Sequence, residues 1–193
     1  MALGFEAVTT FGVKGVFEFT PQVHRDERGY LVRHFDKKIF DNHGINTGIV
    51  QITSQFSVHK NVLRGLHVSL PPSCEGKMLT AVRGRIFWVT VDVRKMSPTF
   101  GKAVSTILSE EKHNVFCVAP GFAHGVMSLE DNCHLLAGTD NYFSDEKSTG
   151  IIWNDPDLAI NWPKTDTQLT VLERDLKYGS FQDFVRDFGG VEV

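Results

Sequence analysis

Short apolar and β-branched runs follow one another along most of this chain, each closed by Gly, Pro, Asp or Asn. GVFEFTPQVH leads into the turn DERG, then YLVRHF, the loop DNHGINTG and IVQITSQFSV. VLRGLHVSL, KMLTAVRG, RIFWVTVDVR, AVSTILS, VFCVAPG, AHGVMSL and HLLAGTDNYF continue the series. Alternation is plainest from Arg85 to Val93, which predicts a strand with one buried face. Many short strands with turn residues at fairly regular spacing predict an all-β sandwich, barrel or jelly roll. Only KKIFDNHG and the C-terminal LTVLERDLKYGSFQDFVRDF read as helix, and the tail VRDFGGVEV is expected to fray.

Composition narrows the picture slightly. At 193 residues, with no linker, repeat or low-complexity segment, residues 1–193 read as one domain. Fifteen phenylalanines against four methionines suit a core of rings and branched chains, and so a sheet. The formal net charge of −3 and the lack of a basic stripe argue against nucleic acid as a partner. No apolar run approaches a membrane span, and the N-terminus shows no leader pattern. Cys74, Cys117 and Cys133 sit at no metal-ligand spacing and read as free thiols, so the expected address is the cytoplasm.

Candidate chemistry lies in three places: Arg64-Gly65-Leu66-His67, Gly76-Lys77, and Pro120-Gly121-Phe122-Ala123-His124-Gly125. In a jelly roll such strands can turn side chains into a barrel mouth. Metal-binding barrels of this kind offer two histidines one residue apart and a glutamate soon after. Here Ser69 stands two residues after His67, and Glu75 is poorly placed to complete a set, so no metal and no other cofactor is expected. A histidine without metal is a natural proton carrier near neutral pH, best when a carboxylate fixes its tautomer. Arg64 and Lys77 beside it suit a diphosphate or a polarised carbonyl. The plainer alternative is that His67 and His124 satisfy local backbone groups only. His24, His34, His43, His59, His113 and His134 read as surface or loop residues, and Trp153 with Trp162 as a structural clasp.

At these residues the chain resembles the dTDP-4-dehydrorhamnose 3,5-epimerase family over nearly its whole length. DERG (26–29), VQ (50–51), VLRGLH (62–67), LPP (70–72), EGK (75–77), VDVRKMSPTFGK (91–102), PGFAHG (120–125) and IIWNDPDLAINWP (151–163) carry the likeness. The resemblance implies a double-stranded β-helix, the cupin jelly roll, with short flanking helices. It also implies a nucleotide-linked 4-keto-6-deoxy sugar whose ketone acidifies C3 and C5. His67 matches the general base, Asp175 the aspartate that orients it, and Lys77 the lysine near the enolate oxygen. Arg28, Arg64 and His124 match binding residues around sugar and diphosphate, and Gln51 a further substrate contact. The resemblance also implies a homodimer that exchanges N-terminal strands, a role suiting GVFEF.

The chain departs from that pattern at several positions. Ala137 stands where the family's proton-donating tyrosine is expected, which predicts inversion at C3 alone. Tyr142, five residues on, is the nearest candidate to replace it at the substrate, although odd spacing along a strand would turn it away. Arg33 replaces a ligand-reaching glutamate, Thr53-Ser54-Gln55 replaces Asn-His-Ser, and Trp88 replaces an aspartate. These changes leave dTDP or GDP, and a hexose or heptose, open. The competing readings are a double epimerase with another acid, a sugar-nucleotide-binding barrel without chemistry, and a 3,4-ketoisomerase.

Overall fold

The computed structural model describes residues 4–45 and 48–193, and the alternating runs pair into two facing sheets. In chain order the strands begin with β1 (Phe5–Thr10), β2 (Val16–Pro21), β3 (Val23–Asp26), β4 (Gly29–Val32) and β5 (Gln51–Ser57). Next come β6 (Val62–Ser69), β7 (Lys77–Arg83), β8 (Arg85–Asp92), β9 (Ala103–Ser109) and β10 (Val115–Val118). β11 (Phe122–Ser128), β12 (Cys133–Thr139), β13 (Ser148–Gly150) and β14 (Thr170–Val171) follow. The helices are α1 (Lys37–Asn42), α2 (Glu173–Leu176) and α3 (Phe181–Phe188). One sheet runs β1-β2-β10-β7-β12-β5, the other β13-β6-β11-β8-β9, and β3 with β4 forms a separate hairpin. This is the all-β class that the pattern predicts and the jelly roll with short flanking helices that the resemblance implies.

The two inner faces meet on Leu79, Ala81, Ile86, Leu108, Phe116 and Leu135, all buried. Each of these side chains other than that of Ala81 contributes roughly 1.5–3 kcal/mol by leaving water. β8 is not the half-buried strand that its alternation predicts. Its outward Phe87, Val89 and Val91 are buried too, under Leu158, Trp162, Phe181 and Phe184 from the C-terminal segment. A second layer on one sheet converts a half-exposed strand into a core strand, which short-range pattern cannot register.

That covering segment also differs from the expected continuous helix. Residues 170–171 pair in parallel with β6, α2 has only four residues, and α3 starts anew at Ser180. Ser180 and Asp183 close a capping box there, and Gly189, at φ +64°, ends the helix. The tail does not fray: Val191 is buried, and its backbone pairs with Val93 and Lys95. β12 stops at Thr139, so Asn141, Tyr142 and Phe143 lie beyond the strand.

At the other end, FEAVTT forms a strand that the pattern reading left unassigned. GVFEF, as β2, is paired on both sides, with β1 and β10. At this end of the sheet the edge strand is therefore β1. KKIFDNHG does form a helix, capped by Asp36, and Phe40 packs against Phe19. Asn46 and Thr47 of the expected loop lie outside the described residues. His113 is buried rather than at the surface, against Tyr30 and His34. Trp153 and Trp162 do form a clasp, with Trp162 Nε1 donating to the Trp153 carbonyl at 2.8 Å.

Candidate active site

Arg64 and His67 are three residues apart, which on a regular strand would put them on opposite faces. The register of β6 against β11 removes the conflict. Arg64 pairs with Val126 and His67 with His124, so Gly65 and Leu66 together oppose Gly125 alone. This bulge turns both polar side chains into the barrel. Glycine is required at 65, where φ is +102° and a Cβ would collide with the His124 carbonyl oxygen. Gly65 of RGLH, at the bulge opposite Gly125, therefore brings His67 and Arg64 to one face.

Between the sheets lies a cavity of about 510 Å³. One wall carries Arg64, His67, Trp88 and His124; the other carries Gln51, Thr53, Lys77, Leu79, Ala137 and Thr139. His67 is 35% exposed and its Nε2 lies 3.0 Å from Asp175 Oδ1, which is fully buried. Burial raises the Asp175 carboxyl. The Gly65 amide at 2.9 Å, the His67 ring and Arg174 outweigh that and hold it below its ordinary value. Ionised Asp175 only accepts, so it fixes the His67 proton on Nε2 and leaves Nδ1 with a lone pair. The Tyr178 ring stands edge-on to His67 at 6.0 Å, backing the imidazole.

His124 sits in the same row but in a different setting. It is buried, and its Nδ1 lies 3.1 Å from the Thr90 hydroxyl. Burial, then the charges of Lys77 and His67, hold it well below the usual histidine value, so it is neutral at pH 7. Trp88 packs on its ring at 5.5 Å. On the facing wall Lys77 Nζ donates to Glu75 Oε1. Gln51 Oε1 accepts from the Phe143 amide at 2.9 Å. Thr53 and Gln55 face the cavity, whereas Ser54 points outward to His134.

Six of the nine site residues expected from sequence are thus brought together: His67, Asp175, Lys77, Arg64, Gln51 and His124. Three are not. Arg28 and Arg33 lie on the β3–β4 arm and its exit, paired with Asp26 and Asp36, and the Arg28 side chain is 84% exposed. Tyr142 is 64% exposed and outside the cavity lining, because β12 has ended before it. Sequence reasoning missed Glu75, Arg174 and Phe143 as lining residues. Only Glu75 left a signal, standing two residues from Lys77 at same-face spacing. Among the described residues no group of three His, Cys, Asp or Glu could hold a metal ion.

The sequence pattern of the dTDP-4-dehydrorhamnose 3,5-epimerase family matches residues 10–183. The chain belongs to this family. It is 38% identical over 172 residues to the dTDP-4-dehydrorhamnose 3,5-epimerase of Shigella flexneri, covering 89% of this chain and 93% of that one. Among solved structures it is similar to the dTDP-6-deoxy-D-glucose-3,5-epimerase of Legionella pneumophila in complex with dTDP-4-keto-L-rhamnose. There the TM-score is 0.89 and the identity 30%, over 97% of this chain and 98% of that one. It is also similar to ChmJ, a 3′-monoepimerase from Streptomyces bikiniensis in complex with dTDP-quinovose. That match has a TM-score of 0.85 and 26% identity, over 95% and 91% of the two chains. The family places the chain among the isomerases.

Proposed function

We propose that the chain epimerises a nucleotide-linked 4-keto-6-deoxy sugar, inverting C3 alone. His67 hydrogen-bonded to buried Asp175 at the cavity wall is the observation that carries this reading. His67 Nδ1 takes the proton from C3, and the electron pair of the C–H bond moves onto the ketone oxygen as an enolate. Lys77 faces that oxygen and stabilises it, while the imidazolium is balanced by Asp175. A proton from solvent then reaches C3 on the opposite face, the carbonyl re-forms, and His67 releases its proton. Carbon is neither oxidised nor reduced.

Arg64 supplies the charge for the diphosphate, while Gln51 and His124 contact the sugar. Ala137 lies on the wall opposite His67, between Leu79 and Thr53 in the register, and offers no proton for C5. Inversion at one carbon is what the name of ChmJ describes for a protein of this fold. The nucleotide is dTDP or GDP. Arg28 and Arg33, remote from their own cavity, serve that of a second copy in a homodimer joined through the N-terminal strands, where β1 offers its free edge. The expected location is the cytoplasm; among the described residues no helix is long and apolar enough to cross a membrane.

The test is incubation in D₂O with dTDP- and GDP-linked 4-keto-6-deoxy sugars, reading deuterium position by NMR and mass spectrometry. Deuterium at C3 alone, lost in His67→Asn, is the expected result. Label at C3 and C5 overturns the single-carbon reading. Binding without exchange, unchanged in His67→Asn, would make the chain a binding barrel. A product with its ketone moved to C3 would make it a ketoisomerase.

A further inference from the structure

Glu75 is the one carboxylate among the described residues that line the cavity, and it is only 7% exposed. Its Oε1 accepts from Lys77 Nζ, and the Ser69 hydroxyl lies 3.5 Å away. The pair is built into the backbone. Residues 75 and 77 share a face of extended chain. Gly76 between them donates its amide to Asp140 Oδ1 at 2.6 Å. A Cβ at Gly76 would press on Asp140 and on the Val118 carbonyl, so the Glu-Gly-Lys backbone is held against β10 and the end of β12. Glu75 cannot drift from Lys77 without breaking these contacts.

We propose that Glu75 is the positioning residue for Lys77: it anchors the ammonium on the wall facing His67 and keeps it charged through the reaction. This deepens the epimerase reading and rests on it for its kinetic half. Lys77 is 17% exposed, and a buried ammonium without a counter-charge is strongly disfavoured. An ammonium has three N–H donors. Glu75 takes one, which leaves two for a ligand in the cavity that Lys77 lines. The surroundings make the carboxylate more necessary. Arg64 and Arg174 also line the cavity, and His67 becomes cationic when it takes a proton. Where the family resemblance carries an aspartate, Trp88 brings none. Glu75 is the counter-charge that remains inside the cavity.

The test uses the full chain with Glu75→Gln, which keeps shape and removes charge, and Glu75→Asp, which keeps charge and shortens reach. The first readout needs no sugar. Trace labelling of amines with acetic anhydride at pH 7.5, quantified by mass spectrometry against exposed Lys112, reports the free-amine fraction of Lys77. Labelling about tenfold faster in Glu75→Gln, with Glu75→Asp between it and the parent, is expected. The difference should close at pH 11. A difference that persists there is altered access, and it overturns the charge role; so does an unchanged rate at pH 7.5.

The second readout is kcat and KM for C3 exchange. A drop in kcat of about tenfold or more with KM within about threefold is expected for Glu75→Gln, because the charge matters as the enolate forms. An unchanged kcat overturns the kinetic role. A parent protein without exchange would instead sink the epimerase reading, and the labelling experiment would still decide the anchor.

Discussion

On the wall formed by β6, β11 and β8, His67 has a buried carboxylate behind it, a backbone amide holding that carboxylate, and a ring backing the imidazole. On the wall formed by β5, β12 and β7, one ion pair, Lys77 with Glu75, stands beside Ala137, Leu79 and Thr53. In the proposed reaction the first wall removes a proton and holds the resulting charge. The second stabilises an oxygen, but it presents no phenol for a second carbon. Both walls come from strands of seven or eight residues, so the asymmetry lies in which residues the chain spends on each. It predicts chemistry polarised to one face of the sugar, and substitutions that alter one wall should break that prediction in different ways.

The largest effect should follow from weakening the first wall at Asp175→Asn. The amide can still satisfy the Gly65 N–H, so the fold should survive. Its NH₂ group facing His67 would need an acceptor, which moves the ring proton from Nε2 to Nδ1. The lone pair is then on the wrong nitrogen. C3 exchange should fall by about 10²–10⁴-fold, the usual value of a positioned base, in a variant that circular dichroism still reports as folded. A variant that keeps a tenth of the parent rate would show that the wall does not depend on this pair.

How much of this was legible beforehand divides along the same line. His67, Lys77 and Arg64 were readable because their motifs are local, and Asp175 because the resemblance extends to LERDL. The all-β class was readable from turn residues and alternation, and the jelly roll from the family resemblance. The second burial layer on β8 was not, since it is made by Phe181 and Phe184, almost a hundred residues away. The parity change at Gly65 depends on pairing with β11, which no single strand encodes. Tyr142 failed for a simpler reason: Asp140 turns to hold Gly76, and the strand ends before the tyrosine. Glu75 was visible but was weighed only as a metal ligand, not as a partner for the lysine beside it.

The second wall can be sharpened by adding what it lacks. Ala137→Tyr places a phenol opposite Leu79 and Thr53, facing a cavity of about 510 Å³ that has room for the ring. Deuterium should appear at C5 at least about tenfold above the parent, with C3 exchange retained. A folded variant bearing label at C3 alone would mean that the missing phenol is not what confines the reaction, and that the sugar's seating is.

The smallest effect concerns the two histidines of the first wall and appears in stability, not rate. His124 pairs across the strands with His67, yet it is buried on a hydroxyl where His67 is half-exposed on a carboxylate. Burial likewise lowers His34 and His113, where β4 meets the barrel, helped at His34 by His113 and at His113 by Arg25. A histidine lowered by folding binds fewer protons in the native than in the unfolded state just below pH 6.5. Its contribution is therefore complete above that pH and is lost as pH falls towards the folded value. Asp175 acts in the same sense, but only below the ordinary carboxylate range. Melting temperature should thus decline from pH 7.5 to 5.5, at roughly 2–4 °C per kcal/mol lost. His124→Gln should flatten that decline. A decline as steep in His124→Gln as in the parent would mean that burial does not disfavour the charged ring there, and the contrast within the wall would fail.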